Sequence, residues 1–103
     1  MWSFSGSNEQ KWLIGYYTSK FYIRSYVDPE YGLNVYRAGS PWNCTMHFIR
    51  GNETDAQIDV EPLSGGFYRY WLSNWDLILT AAGTSNGSNV YWSDSYEGDL
   101  QKW

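Results

Sequence analysis

The sequence predicts an all-β domain assembled from repeats, and three observations carry that expectation. The tripeptide Gln10-Lys11-Trp12 returns as Gln101-Lys102-Trp103, with a weaker copy at Gln57-Ile58-Asp59. The spacings of 47 and 44 residues fall in the range of repeat architectures, where one unit cannot bury a core alone. The intervening residues also match at an offset of 44: Leu33 with Leu77, Val35 with Leu79, Gly39 with Gly83, Met46 with Val90, and Phe48 with Trp92. Finally, apolar residues alternate over short stretches bounded by turn residues, and no segment sustains a helical period. Short, evenly spaced strands of this kind close into a barrel or a sandwich.

Taken in order, Met1–Phe4 reads as a short strand and Ser5–Glu9 as a loop. Gln10–Thr18 is a strand opened by the marker, with Trp12 and Ile14 sharing a face. Phe21–Val27 is a strand of aromatic and β-branched residues. Asp28-Pro29-Glu30-Tyr31-Gly32 is a turn, in which Pro presets one dihedral and Gly supplies the strained one. Leu33–Tyr36 places Leu33 and Val35 inward. After the Ala38–Asn43 loop, Cys44–Ile49 alternates, with Cys44, Met46 and Phe48 on one face and Thr45, His47 and Ile49 on the other. Gly51–Asp55 is a polar loop. The second unit repeats the plan: strands Gln57–Glu61, Phe67–Leu72, Trp75–Thr80 (Leu77 and Leu79 inward) and Asn89–Ser93, before a loop that returns to the marker. The Asn86-Gly87 pair is a hairpin-turn signal, since both residues accept positive φ.

Composition narrows the function. At 103 residues the chain makes one small domain with a modest core. Aromatics reach 20%, with seven Trp and ten Tyr, while charged residues are only 17%. Such residues suit strands, interfaces and ligand platforms. The net charge of −4 and pI near 4.7 argue against nucleic acid, which needs a basic stripe. No apolar run approaches a membrane span, and the start lacks the pattern of a signal peptide. Cys44 is the sole cysteine, so no intramolecular disulfide or cysteine-based metal site is expected. It reads as a small buried apolar residue. The sequons at Asn43, Asn52 and Asn86 read as loop markers. One His, one Cys and no nucleophile-elbow motif leave no catalytic triad. The paired acids Asp59 and Glu61, and the run Asp94, Glu97 and Asp99, read as solvated carboxylates rather than a glycosidase pair or a calcium loop. The chain is therefore expected to be neither an enzyme nor a cofactor carrier.

The two markers, together with Leu77-Ile78-Leu79-Thr80-Ala81-Ala82-Gly83 and Asn86-Gly87-Ser88-Asn89-Val90, resemble the ricin B-chain-like lectins. These β-trefoil domains form carbohydrate-binding module family 13, with Gln-x-Trp repeats, and the resemblance covers essentially the whole chain. It implies a single β-trefoil domain over 1–103, with complete repeats over about 21–61 and 67–103 and half a repeat over 1–18. It also implies that Trp12 and Trp103 pack into a shared core while the marker Gln fixes backbone. At the middle marker Asp59 stands in place of Trp, so Ile58 or Val60 must fill that core position. The first two strands of the half repeat have no residues. Either the chain belongs to a longer domain, or a partner chain or homo-oligomer completes the barrel.

The resemblance further implies a secreted glycan-binding domain, such as the targeting part of a toxin or glycosidase, with galactose-type or other sugars as ligand. The alternative is a trefoil used for protein contact, its sugar sites decayed. The family's Asp position is Tyr36 in one repeat and Thr80 in the other. Its outward third-strand positions are His47 and Ile49, then Tyr91 and Ser93. The residue before the marker Gln is Glu9, Ala56 or Leu100, never Asn. The better candidate site is Tyr91 with Thr80, Asn86, Asp99 and Gln101. Tyr36, Asn43, His47 and Asp55 form the weaker equivalent.

Overall fold

The alternation in the sequence is realised as one antiparallel sheet. The computed structural model describes residues 6–17, 20–36, 42–50 and 53–103. Its strands are β1 (Trp12–Tyr17), β2 (Lys20–Ser25), β3 (Tyr31–Tyr36), β4 (Trp42–Phe48), β5 (Ile58–Pro62), β6 (Tyr68–Leu72), β7 (Leu77–Ala81) and β8 (Val90–Ser93). Among the described residues the only helical pieces are short 3-10 turns at Asn8–Gln10, Ser64–Gly66 and Gly98–Gln101. The expected Met1–Phe4 strand and the Gly39 match lie outside the described residues.

The strand order is β1-β2-β3-β4-β8-β7-β6-β5. Two four-stranded meanders are thus joined where β4 meets β8, through Trp42 opposite Trp92 and Asn43 opposite Tyr91. The sheet curls into a half-barrel, bringing β2 against β5. Extents of 32 × 31 × 30 Å exclude a flat sheet, whose thickness would be about 10 Å. The repeat is visible in the backbone. Before each full marker a 3-10 turn closes, with Lys11 N–H donating to the Asn8 carbonyl at 3.1 Å and Lys102 N–H to the Asp99 carbonyl at 3.2 Å.

The core gathers Val35, Leu77, Leu79 and Trp92, as the alternation requires, with Ile23, Ile58 and Leu72. Leu33, Val90 and Trp103 pack against them. Ile58 therefore fills the position beside Asp59. Three expected core residues sit elsewhere. Trp12 and Met46 are exposed, and Phe48 packs edge-on against Tyr31 at a 5.7 Å centroid separation. The contrast between the marker tryptophans has a local cause. Trp103 exchanges two backbone hydrogen bonds with Tyr68 and donates from Nε1 to the Leu79 carbonyl at 3.0 Å. Among the described residues Trp12 has no strand equivalent to β7 to pack on.

Ile49, expected outward, is buried with Tyr22 and Ala56 in a second cluster. It keeps the outward parity of His47, and Tyr22 and Ala56 cover it on the face that it shares with Gly32. That cluster explains Gly32. A Cβ there would stand 2.9 Å from both the Ile23 carbonyl and Ile49 Cγ1, so Gly32 serves close approach inside β3 rather than the turn. The turn itself closes earlier, with Tyr31 N–H donating to the Asp28 carbonyl. At the other predicted turn, Ser88 N–H returns to the Ser85 carbonyl. Gly87 has φ 82° and Asn86 is not in the left-handed region, as in a type II turn. The Asn43 sequon lies within β4 and is no loop marker.

Candidate functional site

Directly paired residues of an antiparallel sheet project to the same face, so the registers define the outer surface. Tyr36 pairs with Asn43, Asn43 with Tyr91, and Tyr91 with Thr80. One transverse row across β3, β4, β8 and β7 therefore joins members of both candidate sets, which the repeat pattern had kept apart. Asn89 links in as well, donating from Nδ2 to Asn43 Oδ1 at 2.7 Å. A second row pairs Asn34 with Thr45, and a third pairs Gly32 with His47.

At the β7 end of this face the expected site is closed. Thr80 and Gln101 have no exposed surface, because the turn Gly98–Gln101 packs over β7. Gln101 Nε2 donates to Thr80 Oγ1 at 3.1 Å and to the Ser95 carbonyl at 2.8 Å. Its Oε1 accepts from Glu97 N–H at 3.0 Å. Thr80 donates onward to the Ile78 carbonyl. Both side chains are thus interior fastenings rather than ligand contacts. Tyr91 is half-buried; Asn86 is exposed in its turn; Asp99 is exposed and ion-paired to Lys102 at 3.0 Å. The structure does not bring these five residues to one open surface.

The β3 end is open. Asn34, Tyr36, Thr45, His47 and Asp55 line a cleft of about 700 Å³, with Val35 and Met46 contributing apolar wall. Tyr36 stands where Thr80 stands in the second unit, and its larger side chain is 56% exposed. The marker residue Gln57 does not close the cleft as Gln101 closes its own; Gln57 Oε1 accepts from Asn74 Nδ2 at 3.3 Å. The cleft floor is held rigidly. Thr45 Oγ1 donates to Asn34 Oδ1 at 2.6 Å, and the Asn34 carbonyl accepts from the core indole of Trp92 at 3.0 Å. Val35 N–H donates to the Asp55 carbonyl at 3.0 Å, fastening the Asp55 loop to β3. Asn43 borders the cleft beside Tyr36 through their register. The set judged weaker in sequence is therefore the one assembled in space. Asn34 was missed, although its place between inward Leu33 and Val35 already put it on the outer face.

A separate polar cluster lies on β5 and β6. Glu61 Oε1 accepts from Arg69 Nη1 at 2.8 Å and Trp71 Nε1 at 2.9 Å, and Tyr96 covers both donors. The indole hydrogen bond, then the guanidinium, hold the Glu61 carboxyl below its usual range. A carboxylate kept ionised in this way is unsuited to donate a proton. On β4, burial pushes the Cys44 thiol up to about 12, which leaves it unreactive at neutral pH.

No protein-family model matches the sequence, and no curated protein matches it. Among solved structures the fold is similar to a designed protein of three-fold symmetry, ThreeFoil, with a TM-score of 0.80. The match covers 99% of this chain and 75% of that one, at 21% identity. The fold is a β-trefoil, as the resemblance implies. At this identity the likeness carries the fold and no ligand.

Proposed function

We propose that the protein is a carbohydrate-binding, lectin-like domain that holds a sugar in the cleft of Tyr36, Asn43, His47 and Asp55. The observation that carries this reading is the exposed Tyr36 ring at the rim of a cleft lined by Asn34, Thr45, His47 and Asp55. A sugar needs a flat aromatic surface for the apolar side of its ring and fixed polar groups for its hydroxyls. Tyr36 supplies the first. The Asp55 carboxylate, the His47 imidazole and the Asn43 amide supply the second. The ricin B-like resemblance supports the same class and, with it, a secreted targeting role beside a toxin or glycosidase. The site centres on Tyr36 rather than Tyr91, because Thr80 and Gln101 are occupied with each other.

One shallow cleft of this kind binds a monosaccharide at around millimolar strength, about −4 kcal/mol, and useful avidity requires several sites on one array. Saturation-transfer NMR against a panel of mono- and disaccharides tests the reading. Transfer from Tyr36 and His47 protons is expected, and Tyr36→Ala should abolish it while the circular dichroism spectrum stays unchanged. No transfer from any sugar to the wild-type protein would remove the lectin reading. A second reading, a trefoil used for protein contact, is favoured by the apolar stripe that β1 leaves exposed.

A further inference from the structure

The two edges of the described sheet are built differently. Edge strand β5 carries Asp59, Glu61 and Pro62, the charges and proline that discourage edge-to-edge pairing. Edge strand β1 reads Trp-Leu-Ile-Gly-Tyr-Tyr, with no charge and no proline. It pairs with β2 without interruption over six residues, so no bulge blunts it. On one face it presents Trp12, Ile14 and Tyr16, which are 43%, 46% and 76% exposed. Among the described residues no strand pairs with the other edge of β1.

We infer that β1 is an association strand, and that its occupant is β1 of a second copy of this chain, running antiparallel. The reason for a second copy lies in the strand's own order. An antiparallel pair centred on Ile14 puts Ile14 opposite Ile14 of the second copy. It also puts Trp12 opposite Tyr16 of the second copy, twice by symmetry. Aromatic pairs facing each other across strands are favourable contacts. Leu13 meets Gly15, where an added Cβ would find nothing within 4 Å, so the opposite face also has room. The pairing opposes no like charges, and a two-fold axis makes the two strands antiparallel without further adjustment. Neighbouring strands throughout this sheet are antiparallel as well. The sugar cleft lies on β3 and β4, so this association neither requires the lectin reading nor obstructs it.

Sedimentation equilibrium of the full chain at micromolar concentration tests the inference. The wild type should be dimeric. Ile14→Lys should weaken association by about tenfold or more by placing two ammonium groups at the dyad. Ile14→Thr, which keeps strand propensity, should weaken it less. Asp59→Lys on the opposite edge should leave the dimer unchanged. Register is read by cross-linking. Under mild oxidation Ile14→Cys should give a covalent dimer faster than Tyr16→Cys, since only position 14 faces itself. A monomeric wild type would overturn the inference, as would a dimer that survives Ile14→Lys. So would equal cross-linking at positions 14 and 16, which would mean some other surface holds the copies together.

Discussion

Gln101 donates from Nε2 to the Thr80 hydroxyl at 3.1 Å, and neither side chain has any exposed surface. This bond ties the C-terminal turn to β7, while Gln101 also donates to the Ser95 carbonyl and accepts from Glu97 N–H within its own segment. Gln101→Ala removes the donor to Thr80 and Ser95 and the acceptor for Glu97. It should cost about 2–3 kcal/mol, the scale for stranding buried polar groups, measured as a shift in urea midpoint. Thr80→Val keeps the shape and should cost less than Gln101→Ala. If both variants are as stable as wild type, the pair does not close this face.

The marker tryptophans should respond unequally. Trp103 packs against the core and hydrogen-bonds Leu79, so Trp103→Ala should cost roughly 3 kcal/mol, the lower end for a large aromatic. Trp12→Ala removes an exposed side chain and should cost about 1 kcal/mol or less at concentrations where the protein is monomeric. Chemical denaturation of dilute samples separates the two.

Acid should weaken the fold through Glu61. Its indole and guanidinium donors hold its folded-state value below the ordinary 4.5, so the unfolded chain takes up a proton first as pH falls. The stabilisation is complete above the ordinary value and is lost as pH drops through the folded one. Glu61→Gln should lower stability at neutral pH and flatten the fall below that value. Urea midpoints recorded from neutral to acidic pH check the slope. An unchanged slope in the variant would mean another carboxylate dominates.

Much of the architecture was legible because strands announce themselves locally. Alternation around Leu33 and Val35, and around Leu77 and Leu79, fixed which face is inward, and the 44-residue offset matched β3 to β7 as equivalent strands. Residues whose fate depends on a distant neighbour were not legible. Trp12 and Trp103 sit in identical tripeptides, yet among the described residues Trp103 meets β7 and Trp12 meets no equivalent strand. Tyr36 and Thr80 occupy matched positions, but size decides the outcome: a threonine can be sealed by Gln101, whereas a tyrosine stands clear. The two matched positions therefore differ in access, with Thr80 buried and Tyr36 exposed. Tyr91 looked outward by alternation alone, and nothing local shows that a C-terminal turn closes over the strand beside it.

The sheet order also governs how the chain can reach this structure. Among the described residues six of the seven strand pairings join neighbours in sequence, and of these pairings only β4 with β8 spans a long stretch. Each meander can therefore assemble from its own hairpins before the other exists, and such local pairings are the fast ones. The long strand pairing that sets Trp42 beside Trp92 is expected to form more slowly. Chain length between β4 and β5 enters that closure only logarithmically, at about 0.6 kcal/mol for each doubling. Inserting residues into that link should leave the folding rate almost untouched, whereas a substitution at the Trp42–Trp92 seam should slow it directly.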